Sequence, residues 1–417
     1  MYTLQVKFCR LALLNLMLIA IVGVILRYKI AWSLPIIDQK YFLHAHSHFA
    51  FAGWVSQALM ALLTGYLYEK NSKANFNKYK LLQFANLLTA YGMLFSFAAQ
   101  GYAFLSILFS ILSILVSYFF VFVYWRDLTA LKSNSSSHYW YKAALIFNAI
   151  SSAGPFVLAY MMANKHVIQN LYLASVYFFL HFQYNGWFFF ACMGLLCHQL
   201  EKYQVPHYKL KRVFWLFAIA CVPAFLLSAL WLNIPQWLYA LVILAAVMQL
   251  LGWWLQLKII VNVITEIKSS ISRMGQYLFM LSAIALTIKL CLQTGSVIPS
   301  LSKLAFGFRP IVIGYLHLVL LGVISIFLIA YLHSFKLLTW NKITTKGIII
   351  FVSGVFTNEI LLMIQGIADL NYESVPFIPV LLFITALVLF TGIAMINYGQ
   401  LQTANFVERQ TATLNEV

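Results

Sequence analysis

Apolar residues run in long, nearly uninterrupted blocks along this chain, separated by short polar stretches rich in Lys, Ser, Asn and Pro. Twelve blocks stand out, at 8–27, 41–68, 81–100, 103–125, 143–163, 170–198, 213–232, 236–257, 276–294, 310–333, 347–367 and 376–398. A helix rises about 1.5 Å per residue, so each block can cross a hydrocarbon core about 30 Å thick. Lipid offers no partner for backbone N–H and C=O groups, so apolar blocks of this length must be helices. Little chain remains between them. The pattern therefore predicts an all-α, polytopic membrane protein of about twelve helices forming one transmembrane domain over 1–417. It leaves no room for a soluble domain, a long linker or a low-complexity tract. The first block is too long for a signal-peptide core and has no small-residue cleavage site after it, so it is expected to remain as the first helix.

Composition agrees. The chain is 63% hydrophobic and only 9% charged, with a mean hydropathy of +0.86, whereas ordinary soluble domains carry about 25% charged residues. The net charge of +17 raises the question of nucleic acid, but its distribution answers it. Twenty of the 27 Lys and Arg residues fall on the tails and the even-numbered connections, among them Lys70, Lys73, Lys78, Arg126, Lys142, Lys211, Arg212, Lys258, Arg273, Lys342 and Arg409. The odd-numbered side holds Arg27, Lys29, Lys40, Lys165, Lys303 and Arg309. That is the positive-inside pattern, predicting both termini on the cytoplasmic side of a cell inner membrane. The basic excess records orientation, with anionic membrane lipid as its partner and no role in binding nucleic acid.

The five cysteines, Cys9, Cys192, Cys197, Cys221 and Cys291, lie in or near helices and form neither a CxxC pair nor a CxxCH motif. No disulfide framework or covalent c-type haem attachment is indicated.

Histidine carries the candidate chemistry. The second block opens with His44-Ala45-His46-Ser47-His48, the sixth contains His181, and the tenth contains His317. All three helices are read as running inward from the outer face. The rise of about 1.5 Å per residue puts His44 to His48 roughly 5 to 12 Å below that face and His317 roughly 10 Å below it. His181 lies nearer the middle. Imidazoles sent into one membrane leaflet from three helices point to a metal or haem site, because intramembrane polar groups usually face a cavity or bind something. A plainer reading stands beside it, in which each histidine hydrogen-bonds a neighbouring helix. At about 100° per residue His44 and His48 share a face while His46 points roughly 160° away, so at most two of the three can serve one site. His138, His166, His198, His207 and His333 lie in loops or at helix ends and are read as structural or solvated.

In layout the chain resembles haem-copper oxidase subunit I, a family that includes nitric oxide reductases, in having twelve helices with both ends inside and histidines on helices two, six and ten. The stretch Tyr315-Leu316-His317-Leu318-Val319-Leu320-Leu321-Gly322 looks like the family's helix-ten segment, and His46-x-His48 followed by Gly53 resembles the NnrS family of haem- and copper-containing membrane proteins linked to nitric oxide stress. The resemblance implies a non-covalently held b-type haem ligated by His48 or His46 and by His317. It also implies an electron-donor or oxidase partner subunit and a small gas, oxygen or nitric oxide, as ligand. Arg309 would then pair with haem propionates.

The chain also departs from that pattern. Position 319 is Val and position 315 is Tyr, so helix ten lacks a second histidine; helices seven and eight contain none; and Tyr184 follows His181 by three residues, not four. The ligand set for copper is incomplete. His181 remains a candidate ligand to a second metal, with Tyr184 on the same face as a proton donor. Glu359, beside Asn358 in helix eleven, is the candidate proton relay, and Lys289 in helix nine is a second intramembrane charge. The expected function is a haem-binding redox protein that reduces or responds to a gas. Two alternatives are a secondary transporter with structural histidines and a non-catalytic haem sensor or assembly protein. No repeat relates residues 1–205 to 206–417, which weighs against the transporter.

Overall fold

The computed structural model describes residues 2–72, 76–232, 234–301 and 308–415, and no strand occurs among them. Lys73 and Lys303, which enter the charge pattern, lie outside the described residues, as does the side chain of Arg409. Eleven helices among the described residues are long and apolar enough to cross a membrane. The expected sixth segment is present as continuous helix from 169 to 202, but His181, Gln183, Asn185, His198 and Gln199 dilute its apolar character below that of the others.

The chain packs as two units: residues 1–116 with 328–417, and residues 117–327. In the first unit α1 (Tyr2–Ala31) packs along the C-terminal helix α17 (Ile378–Asn415), which also pairs with α16 (Lys342–Leu370). The histidine-bearing α2 (Gln39–Phe49) continues through a π-helical turn (Ala50–Ser56) into α3 (Gln57–Lys70), and α2 lies against α4 (Asn77–Gln100). Asp38 fixes where α2 starts, its carboxylate accepting from the Lys40 and Tyr41 backbone N–H groups at 2.8 and 3.0 Å. Between α4 and α5 (Phe104–Ala130) the chain turns at Gly101, with φ of +61°, a conformation open to glycine because it lacks a Cβ. That turn brings Tyr102 back over α2.

In the second unit α6 (Ser137–Ser151) and α7 (Ala153–Ala163) precede a rod made of α8 (Gln169–His181), a second π-turn (Phe182–Phe188) and α9 (Phe189–Lys202). Trp140, Trp187, Phe188 and Phe190 are almost fully buried where α6 meets this rod. The helix α10 (His207–Ala224) ends where Pro223 removes a donor, and a 3-10 turn (Phe225–Ala229) follows before α11 (Gln236–Asn262). A short α12 (Ile264–Ser270) leads to α13 (Arg273–Gly295), which packs on a third π-turn (Leu318–Ser325) set between α14 (Arg309–His317) and α15 (Ile326–Ser334).

Candidate functional site

Each of the three candidate histidine positions sits just before a π-turn: His48 before Ala50–Ser56, His181 before Phe182–Phe188, and His317 before Leu318–Ser325. A π-turn adds one residue to the hydrogen-bond ladder and loosens its carbonyls, and such turns recur at functional sites. At membrane depth the loosened groups need donors from elsewhere, and the structure supplies them. Around the first turn, Asn15 Nδ2 donates to the Gly53 carbonyl at 2.6 Å and Asn86 Nδ2 to the Ala52 carbonyl at 3.1 Å. Tyr91 OH holds Asn15 Oδ1 at 2.7 Å, while Asn86 also donates to Gln57 Oε1 at 2.8 Å. At the third turn Ser282 Oγ donates to the Val323 carbonyl at 2.8 Å and Ser325 Oγ to the Leu320 carbonyl at 2.7 Å.

The turns share a sequence signature that the sequence analysis missed. His48-Phe-Ala-Phe-Ala-Gly53-Trp54, His181-Phe-Gln-Tyr-Asn-Gly186-Trp187 and His317-Leu-Val-Leu-Leu-Gly322-Val323 align without gaps, each placing a glycine five residues after the histidine. Comparing halves of the chain could not find a threefold repeat. The glycine permits close packing at the second turn, where a Cβ on Gly186 would lie 2.5 Å from the Phe147 Cβ of α6.

In the first unit the helix-two histidines divide as the helical step predicts. His48 stacks on Phe97, with ring centroids 4.4 Å apart and planes 11° apart, and its Nε2 lies 3.2 Å from Tyr102 OH. His44 meets the same tyrosine edge-on at 4.6 Å, and its Nε2 is buried without a partner. His46 points the other way, toward α1, where its ring lies against Gly23. Its Nδ1 is buried with no partner. Glu359, on α16 of the same unit, is half-buried and accepts from Asn358 Nδ2 at 3.2 Å.

In the second unit His317 Nδ1 lies 2.8 Å from the Ile313 carbonyl, one turn back. A carbonyl only accepts, so Nδ1 carries the proton, which is the tautomer whose acceptor nitrogen is Nε2. Arg309 is exposed at the start of α14, immediately before Pro310.

His181 is used differently. Its Nε2 donates to the Cys221 carbonyl at 2.9 Å, and its Nδ1 accepts from Asn185 Nδ2 at 3.1 Å. The reason lies in α10. Where the helix tightens after Pro223, the Phe225 N–H turns to the Val222 and Pro223 carbonyls, and the Cys221 carbonyl takes its proton from His181 instead. Both ring nitrogens are engaged, so this geometry carries the hydrogen-bonded reading of His181 and leaves no lone pair for a metal. Tyr184 also departs from expectation. Inside a π-turn the fourth residue onward, Asn185, swings back to His181, whereas Tyr184 sets its ring 6.4 Å from Tyr315. Asn185 is the residue the sequence analysis undervalued.

His46 and His48 thus belong to one unit and His317 to the other. Among the described residues no three His, Cys, Asp or Glu side chains gather as a metal site. The chain matches no protein-family model and no curated protein. Its functional reading therefore rests on the residues themselves.

Proposed function

We propose that this chain is a haem-binding redox protein of the cell inner membrane, with both termini cytoplasmic, similar in plan to haem-copper oxidase subunit I. The observation that carries the reading is His317, whose Nδ1 proton is taken by the Ile313 carbonyl, which fixes the tautomer with Nε2 as its acceptor nitrogen. Iron ligation by imidazole requires that state, and a hydrogen bond at the other nitrogen is the usual way of holding it. Within the first unit, the Nδ1 of His46 is buried without a partner, which is costly unless a ligand fills the place. A bound haem would supply one-electron transfer and, with a small gas such as oxygen or nitric oxide, a substrate or signal. The roles of this chain are to hold the imidazole tautomers, to exclude water with aromatic rings such as Phe97, and to offer Arg309 to the propionates. His181 is assigned a structural role, and copper is left out because the ligands for it are incomplete.

The test is a reduced-minus-oxidised spectrum, with pyridine haemochrome, of protein purified from its own host. The expected result is a b-type haem whose low-spin signal disappears in His317→Ala and persists in His138→Ala. Retention of full haem by both variants would overturn the ligand assignment, and absence of haem from the wild type would move the reading to a secondary transporter. Oxygen and nitric oxide consumption then distinguish an enzyme from a sensor.

A further inference from the structure

Below the second π-turn lies a small cavity lined by Asn185, Phe189, Phe190, Phe217, Cys221, Gln249, Leu286, Lys289 and Leu290. Its volume, traced by the centre of a water-sized sphere, is about 10 Å³, which is room for one water or one monatomic ion. Lys289 lines it from the middle of α13 and is only 5% exposed. No hydrogen bond or ion pair holds its ammonium among the described residues of this unit. The acidic residues of the unit, Asp127, Glu201 and Glu266, all lie near helix ends, away from the cavity lining.

Of the amides that line the cavity, Gln249 is committed in a way that leaves a donor. Gln293 Nε2 donates to Gln249 Oε1 at 2.9 Å, so the remaining hydrogen-bonding capacity of Gln249 is its own amide N–H pair. Asn185 gives its N–H to His181, so the capacity left on its side chain is that of its carbonyl oxygen, an acceptor. The Cys221 thiol points to the Asn185 backbone carbonyl at 3.8 Å. A cation buried at membrane depth without an opposite charge is strongly disfavoured. Two donor groups around a one-atom space invite the missing charge.

We propose that Lys289 and Gln249 bind a single small inorganic anion of chloride size in this cavity. The anion neutralises Lys289 and ties α13 to α11 beneath the second π-turn. The site does not depend on haem, so it stands or falls separately from the proposed function.

The experiment uses the full chain in detergent, freed of halide by exchange into gluconate, an anion too large for the cavity. Thermal unfolding is followed by tryptophan fluorescence as chloride replaces gluconate at fixed ionic strength. The expected result is a saturable rise in Tm with chloride and bromide, absent in Lys289→Met, which keeps the side-chain volume and removes the charge. If Lys289→Met does not fold, bromide soaked into wild-type crystals must give an anomalous peak against Lys289 and Gln249. Equal Tm in chloride and gluconate, or a bromide-soaked crystal with no peak there, would overturn the proposal in favour of a neutral amine beside a water.

Discussion

Asn86→Leu tests whether the first π-turn is held by side chains from another helix. Asn86 is 5% exposed and donates both to the Ala52 carbonyl inside the turn and to Gln57 Oε1 just after it, at 3.1 and 2.8 Å. Leucine has a similar volume, so the substitution removes two hydrogen bonds and opens little space. Hydrogen bonds between membrane helices are worth about 0.6 kcal/mol on average and up to about 1.7. Two of them set an expected loss of roughly 1–3 kcal/mol, close to the 1–3 kcal/mol for stranding a single buried polar atom. Gln57 softens the loss, because its other bond, from Nε2 to Gln83 Oε1, is long at 3.4 Å and can rearrange. The assay is equilibrium unfolding in bicelles with a denaturing detergent. Thr89→Val serves as reference, since Thr89 Oγ1 bonds only the Asn86 carbonyl of its own helix and should cost clearly less. A neutral or stabilising Asn86→Leu would refute the idea that the turn depends on borrowed donors.

Gly186→Ala should destabilise by about 1–3 kcal/mol, the usual penalty for overpacking, because the added methyl meets the Phe147 Cβ of α6 rather than a flexible side-chain end. Gly322→Ala, whose methyl would lie 3.2 Å from the Ala285 Cβ, should cost less in the same unfolding assay; the reverse order would show that the two turns are packed differently from what is described. His181→Phe should cost about 1–3 kcal/mol by stranding the Cys221 carbonyl and the Asn185 amide, yet leave haem content per folded chain unchanged. Loss of haem in that variant at full folding would restore His181 as a ligand.

The helical class and most of the spans were legible because apolar run length is a local property that a membrane reads directly. So was the opposition of His46 to His44 and His48, which follows from the helical step alone. The π-turns were not legible. Whether a ladder takes up one extra residue depends on donors such as Asn15, Asn86 and Ser282, which are dozens of residues away in sequence and reach the loosened carbonyls only after the helices pack. The misjudged pairing of His181 with Tyr184 has the same origin, since i,i+3 geometry assumes α-helical winding and the segment is π-helical from residue 182. The His-x4-Gly repeat was in plain sight but divides the chain in three, and a search for twofold symmetry passes over it.

The three repeats put the same residue to different uses, and hydrogen bonding decides which. An imidazole has two nitrogens, and a ligand needs one lone pair left over after the ring is anchored. His317 is anchored at Nδ1 by the Ile313 carbonyl, and His48 stacks on Phe97 with its Nε2 3.2 Å from Tyr102 OH. His181 is anchored at both nitrogens, because Pro223 disturbs α10 and Asn185 occupies the fourth position of the turn. The corresponding fourth positions after His48 and His317 are Ala52 and Leu321, which have no side-chain donor to give. Asn185→Leu should therefore release the lone pair of His181 while leaving its bond to Cys221, making the second turn resemble the third. Exogenous ligands such as imidazole-seeking Co²⁺ or Zn²⁺ should then perturb folding stability in Asn185→Leu and not in the wild type. Indifference of both proteins to the metal would mean that packing around Phe182 and Phe225, not the amide, is what keeps His181 closed.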